Sequence, residues 1–252
     1  MVNFKALIFA ALFCGGCIGQ VAARCPRCAV VDALHPALPR PRRDASRLFV
    51  LVPGVLGYGW EWDGAVKALR HSQDADFFVF WWEPWSSLRR ASDELHDTLE
   101  RALYTSPPSV KKIVVVAHSA GGMVAAHALA HLIVPPGRQL LLVTIGTPFA
   151  GMMGPPFSID DPLDSPVMIG IMGTFRRYPK PPPGVSVVEY VTSWPADPVM
   201  QPRYGHEVAP PNIGPRGARR ISVDPHFDHN QIVSKVVIGL LNDHGPPVTI
   251  RP

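Results

Sequence analysis

Apolar positions along this chain fall into two kinds of block. Short runs rich in β-branched and aromatic residues span Arg47 to Val52, Phe77 to Trp82, Ile113 to Val116, Gln139 to Ile145, Val185 to Val191 and Arg220 to Val223, and they read as strands. The run Ile113 to Val116 has no polar alternate, the pattern of a strand buried on both faces. Between the strands, apolar residues recur at helical spacing. One helix carries Ala65, Val66 and Leu69, and a longer one carries Leu88, Ala91, Leu95, Leu99 and Ala102. A third runs from Gly122 through Val124, Ala125, Ala126, Ala128, Leu129 and Leu132. After Asp228 a last helix carries Ile232, Val233, Val236, Val237, Leu240 and Leu241. Strand and helix in alternation predict an α/β fold, a mostly parallel doubly wound sheet flanked by helices.

The rhythm breaks at Pro148 to Gly184, a stretch rich in proline, glycine, methionine and phenylalanine. Its apolar residues keep no strict period, so it reads as a cap-like insert over a site or as a packed surface loop. A second Gly/Pro-rich loop spans Tyr204 to Gly217. With 252 residues and 47% apolar composition, the chain suffices for one sizeable domain, placed at 47–252.

The turn between the run Ile113 to Val116 and the helix after it carries the candidate chemistry. Ser119 lies at the turn between the strand ending near Ala117 and the helix from Gly122, with small residues Ala117 and Gly121 two places to either side. Ala117-His118-Ser119-Ala120-Gly121 resembles the nucleophile elbow of the α/β-hydrolase superfamily, in the A-x-S-x-G form of some small bacterial lipases. The resemblance runs over roughly residues 47–242. It implies an α/β-hydrolase fold and a Ser-Asp-His triad with Ser119 as nucleophile. His118 is then the usual neighbour of the nucleophile and not the base.

In that superfamily the acid and base follow the nucleophile along the chain. Asp197, in Pro195-Ala196-Asp197-Pro198-Val199 after the fifth strand, takes the place of the acid; Asp164, in the insert, is the poorer candidate. His229 precedes the last helix and takes the place of the base ahead of His226. Pro53-Gly54-Val55-Leu56-Gly57 resembles the oxyanion loop, with Pro53 where a histidine is usual. The expected oxyanion donors are the backbone N–H groups of Val55 and Ala120. Trp81, Trp82 and Trp85 read either as core or as walls of a substrate cleft. The chemistry implied is ester cleavage, lipase- or esterase-like, with an ester or lipid substrate and neither metal nor cofactor. A thioesterase, amidase or acyltransferase would use the same triad, and a non-catalytic binding protein of this fold is the other class.

The front of the chain reads as an address. Lys5 followed by the apolar run Ala6 to Phe13 and the small residues Val21-Ala22-Ala23 predicts a signal peptide over 1–23, and hence an exported protein, periplasmic or secreted. Lipid anchoring at Cys17 is the alternative. Residues 24–46 form a Pro/Arg-rich leader. The formal charge of +4 is spread thinly except at Arg40-Pro41-Arg42-Arg43, where no nucleic-acid motif follows. That cluster is a solvated linker or a contact with an anionic membrane surface. Cys25 and Cys28 lack the context of a redox or zinc site, so a local disulfide or flexible tether fits them better.

Overall fold

The computed structural model describes residues 44–55, 60–83, 85–149, 178–191, 215, 217–223 and 231–242. Six strands appear there: β1 (Arg47–Val52), β2 (Ala75–Val79), β3 (Lys112–His118), β4 (Gln139–Ile145), β5 (Val185–Val191) and β6 (Arg219–Ser222). Four helices accompany them: α1 (Asp63–His71), α2 (Leu88–Thr105), α3 (Gly121–Ala128) and α4 (Gln231–Leu241). A 3₁₀ turn, Trp60–Trp62, leads into α1. The strands form one sheet in the order β2-β1-β3-β4-β5-β6, and every neighbouring pair is parallel.

Strand periodicity divides the core in two. Leu48, Val50, Val52, Ile113, Val115 and Ala117 face the layer made by α2 and α3. Phe49, Leu51, Val114 and Val116 face the opposite layer, made by α1 and α4. Both faces of the sheet are therefore covered, and this is why the central strands carry apolar residues at consecutive positions. Right-handed crossovers explain the two layers. The chain moves outward from β1 to β2, then reverses past β1 to β3, so α1 and α2 fall on opposite faces. That reversal puts a topological switch point between β1 and β3, where open α/β sheets form their crevice.

The sheet's remote end is tied by Arg47. Its Nε donates to Asp74 Oδ2 at 2.9 Å, and its two terminal nitrogens donate to the Leu240 and Leu241 carbonyls, each at 3.1 Å. A guanidinium suits the negative end of α4. Ser46 also donates to Asp74, and that hydrogen bond, with Arg47 beside it, holds the Asp74 carboxyl below its ordinary range. Arg220 Nε pairs with Glu189 Oε2 at 2.8 Å and joins β6 to β5.

β1, β4 and β5 form where the hydrophobic pattern predicts them. β2 lies earlier than expected, ending at Val79 and not at Trp82. Pairing with β1 stops near Phe80, whose N–H donates to the Leu51 carbonyl at 2.8 Å, and Trp82 turns to another partner. α3 ends at Ala128, before Leu129 and Leu132. Both leucines are nevertheless buried in tight turns that continue the apolar face past the helix. Of the insert's described residues, Phe149 and Tyr178 belong to the core. Their ring centroids are 4.6 Å apart, and Tyr178 also lies against His127 of α3. The intervening stretch 150–177, and with it Asp164, lies outside the described residues. So do residues 1–23, expected to be a signal peptide, together with Cys17, Cys25, Cys28 and the Arg40–Arg43 cluster. Among the described residues no helix is long and apolar enough to cross a membrane.

Candidate active site

β3 and β1 end level with each other. Val52 pairs with Ala117, which sets the next residues, Pro53 and Gly54, beside His118 and Ser119. Ser119 is therefore at the carboxyl edge of the sheet, at the switch point. Its N–H donates to the Ile145 carbonyl at 2.9 Å, the last rung toward β4, and the chain then bends into α3. The bend requires φ +52° at Ser119, the one non-glycine residue with positive φ among those described. A left-handed serine stores roughly 1–3 kcal/mol of strain, the signature of a nucleophile elbow. Ser119 is partly exposed, while Ala117, His118, Ala120 and Gly121 around it are buried.

Close packing around the elbow explains its small residues. A Cβ on Gly121 would stand 2.4 Å from the Pro53 carbonyl oxygen and 2.7 Å from that of Val52. A Cβ on Gly122 would stand 1.9 Å from Thr147 Oγ1, just past β4. Sequence spacing pointed to Ala117 and Gly121; the structure adds Gly122, because α3 also lies close over the end of β4. Gly54 meets Ser119 itself, since a Cβ there would stand 2.9 Å from Ser119 Cβ and 3.4 Å from Ser119 Oγ. The loop after β1 thus lies against the serine.

Ala120 and Val55 are the residues whose N–H groups are expected to serve as oxyanion donors. Ala120 is the N-cap of α3, and the first N–H groups of a helix have no intrahelical partners. Among the described residues neither the Ala120 nor the Val55 N–H has an acceptor. The Val55 side chain packs on the α2/α3 side of the core. The positive end of α3 adds a field that favours negative charge at Ser119.

His118 faces away from this edge. It is 3% exposed and meets Trp62 edge-on at 6.5 Å between ring centroids. Its Nδ1 is 3.9 Å from Oε1 of Glu61, a carboxylate itself buried. Sequence reasoning missed Glu61. Its signal was a lone acid between Trp60 and Trp62, a charge in surroundings that would ordinarily exclude one. The Glu61 carbonyl also accepts from Ser234 Oγ of α4 at 3.1 Å. One short turn thereby touches both the elbow strand and the last helix.

The three tryptophans after β2 separate. Trp82 is buried and its Nε1 donates to the Pro53 carbonyl at 3.0 Å. Trp81 packs on the α1/α4 side, and Trp85 is 44% exposed. Asp197, His226 and His229 lie outside the described residues. Among the described residues no group of three or more His, Cys, Asp or Glu side chains could hold a metal ion.

Residues 42–159 match the family model described as "Putative serine esterase (DUF676)". Among solved structures, the chain is similar to Aspergillus fumigatus lipase B, at 17% identity and TM-score 0.55 over 86% of this chain. It spans 57% of that lipase's length. It is also similar to "the putative cell surface hydrolase from Lactobacillus plantarum WCFS1", at 12% identity and TM-score 0.50 over 82% of this chain and 95% of the other. No curated protein gives a significant match. The parallel sheet, the strained serine at its switch point and these structural likenesses identify the chain as a protein of the α/β-hydrolase fold.

Proposed function

We propose that the chain is an exported serine hydrolase that cleaves carboxylic esters, lipase- or esterase-like, through an acyl-enzyme. The observation that carries this reading is Ser119: a partly exposed serine held at φ +52° between a parallel strand and a helix N-terminus, with Gly54 against it. The serine esterase description of the matching family and the lipase among the structural neighbours support it.

In the proposed reaction Ser119 Oγ attacks the ester carbonyl as His229 takes its proton. The N–H groups of Val55 and Ala120 hold the oxyanion of the tetrahedral intermediate. Collapse expels the alcohol, which receives the proton from His229. Water, activated by the same histidine, then attacks the acyl-enzyme and releases the acid. Asp197 keeps His229 in the correct tautomer. All strands are parallel, so the chain leaves β5 and β6 at the edge that carries Ser119, which supports an acid and a base in the segments that follow. The signal segment at 1–23 supports export, and an ester or lipid substrate follows from the chemistry. The triad accounts for acyl transfer and leaves the natural acyl and alcohol groups to experiment.

A fluorophosphonate probe and a panel of p-nitrophenyl esters of graded chain length test the reading. The expected result is labelling and turnover in the wild type, both lost in Ser119→Ala. His229→Ala should cost about 10⁴-fold or more and His226→Ala little, with Asp197→Asn crippling and Asp164→Asn mild. Turnover in Ser119→Ala within about tenfold of wild type would overturn the assignment. A reversed ranking of the two histidines or the two aspartates would reassign the base or the acid.

A further inference from the structure

The loop that carries Val55 is held at three places. Pro53 has its φ fixed by its ring and lies buried at the end of β1. Its carbonyl oxygen accepts from Trp82 Nε1 at 3.0 Å, a buried hydrogen bond, and has no other donor among the described residues. The same oxygen lies so close to α3 that only a glycine fits at position 121, where a Cβ would approach to 2.4 Å. One residue further on, Gly54 rests on Ser119. The peptide unit is planar and trans, so fixing the Pro53 carbonyl fixes the direction of the Gly54 N–H and the course of the chain into Val55.

Sequence position alone makes Trp82 either core or cleft wall. Its hydrogen bond gives it another task. We propose that Trp82 is a positioning residue: its indole N–H clamps the Pro53 carbonyl and so sets the Val55 N–H at the distance from Ser119 that an oxyanion requires. The superfamily's usual histidine is absent from this loop, and Pro53 in its place has no side-chain polar atom with which to brace it. Trp82, from the neighbouring strand end, supplies the brace from outside. Without the donor, a buried carbonyl is left unsatisfied at the point where the loop leaves the sheet, and the loop relaxes toward a new partner. The acylating transition state feels this more than substrate binding does, because oxyanion contacts strengthen as charge develops.

This inference rests on the serine esterase reading, and the experiment separates the two. Trp82 is replaced by β-(3-benzothienyl)alanine, which keeps the bicyclic shape and lacks the N–H; Trp82→Phe is the second variant. Turnover of p-nitrophenyl acetate, inhibition by a boronic acid that mimics the tetrahedral intermediate, and thermal unfolding are measured on the full chain. The expected result for the isostere is a kcat lower by about tenfold, a KM within about twofold, and boronate affinity falling in step with kcat/KM. Trp82→Phe should show the same split, with an added loss of stability from the cavity. A wild type that turns over ester alongside an isostere with unchanged kcat and boronate affinity overturns the positioning role alone. So does a loss confined to the unfolding temperature. A wild type that neither turns over ester nor takes a fluorophosphonate label overturns both readings.

Discussion

Gly54 lies directly against Ser119, so that a methyl group on the glycine would come within 2.9 Å of the serine Cβ. The atom it would strike is fixed to the elbow backbone and cannot swing away. Gly54→Ala should therefore displace either the loop or the serine. A shift of about 1 Å in a reacting geometry costs on the order of 10²-fold in rate, and that is the loss expected in kcat/KM for a short ester, with the fold retained by circular dichroism. Wild-type turnover in this variant would show that the contact tolerates a side chain.

The strain at Ser119 separates two inactive variants. Alanine keeps a Cβ at φ +52°, and glycine removes it. Ser119→Gly and Ser119→Ala should both abolish turnover, but glycine should be the more stable by about 0.5–1 kcal/mol in urea denaturation, the left-handed penalty less the extra freedom of an unfolded glycine. Equal stabilities would mean that the bend stores no strain.

Glu61 and His118 form a buried pair, 3.9 Å apart, beneath the elbow. Neighbours in one polar contact usually couple by about 0.5–3 kcal/mol. A double-mutant cycle with Glu61→Gln and His118→Asn, read by denaturant unfolding, should give a coupling above roughly 1 kcal/mol. Strict additivity would show two independent side chains. Glu61→Gln should also slow ester turnover, because the turn carrying Glu61 holds α4 through Ser234 as well as facing the elbow strand.

His127, on α3 against Tyr178, is pushed down by burial to about 4. The folded protein therefore resists the proton that the unfolded chain accepts near pH 6.5. Its effect on stability is absent above that pH and grows as pH falls toward 4, reaching a loss of roughly 3 kcal/mol when both states are protonated. His127→Phe removes this group, so its unfolding free energy should fall less than that of wild type between pH 7 and pH 4. Parallel pH profiles for the two proteins would rule out His127 as a source of acid lability.

The local patterns were sufficient for much of the architecture. Consecutive apolar positions in β1, β3 and β4 need cover on both faces, and amphipathic helices between them supply it; periodicity therefore carried the sheet and its two layers. The elbow was legible for a similar reason. A strand, a serine between small residues and a helix all fall within about a dozen positions, and strain at one residue needs small neighbours close in sequence. Tertiary structure decided what depends on distant segments meeting. Glu61 and His118 are 57 residues apart in number, and Trp82 and Pro53 are 29 apart. No local period can announce either pair. The end of β2 escapes the local pattern for the same cause: Phe80, Trp81 and Trp82 continue the apolar run, but the partner strand β1 ends at Val52, and Pro53 has no N–H with which to extend the ladder. Sequence determined the elements and the bend that exposes Ser119, because those are set by short-range sterics and hydrophobic spacing. The fold alone decided which buried polar groups brace that bend, because a buried donor or acceptor takes whatever partner the packed chain brings within reach.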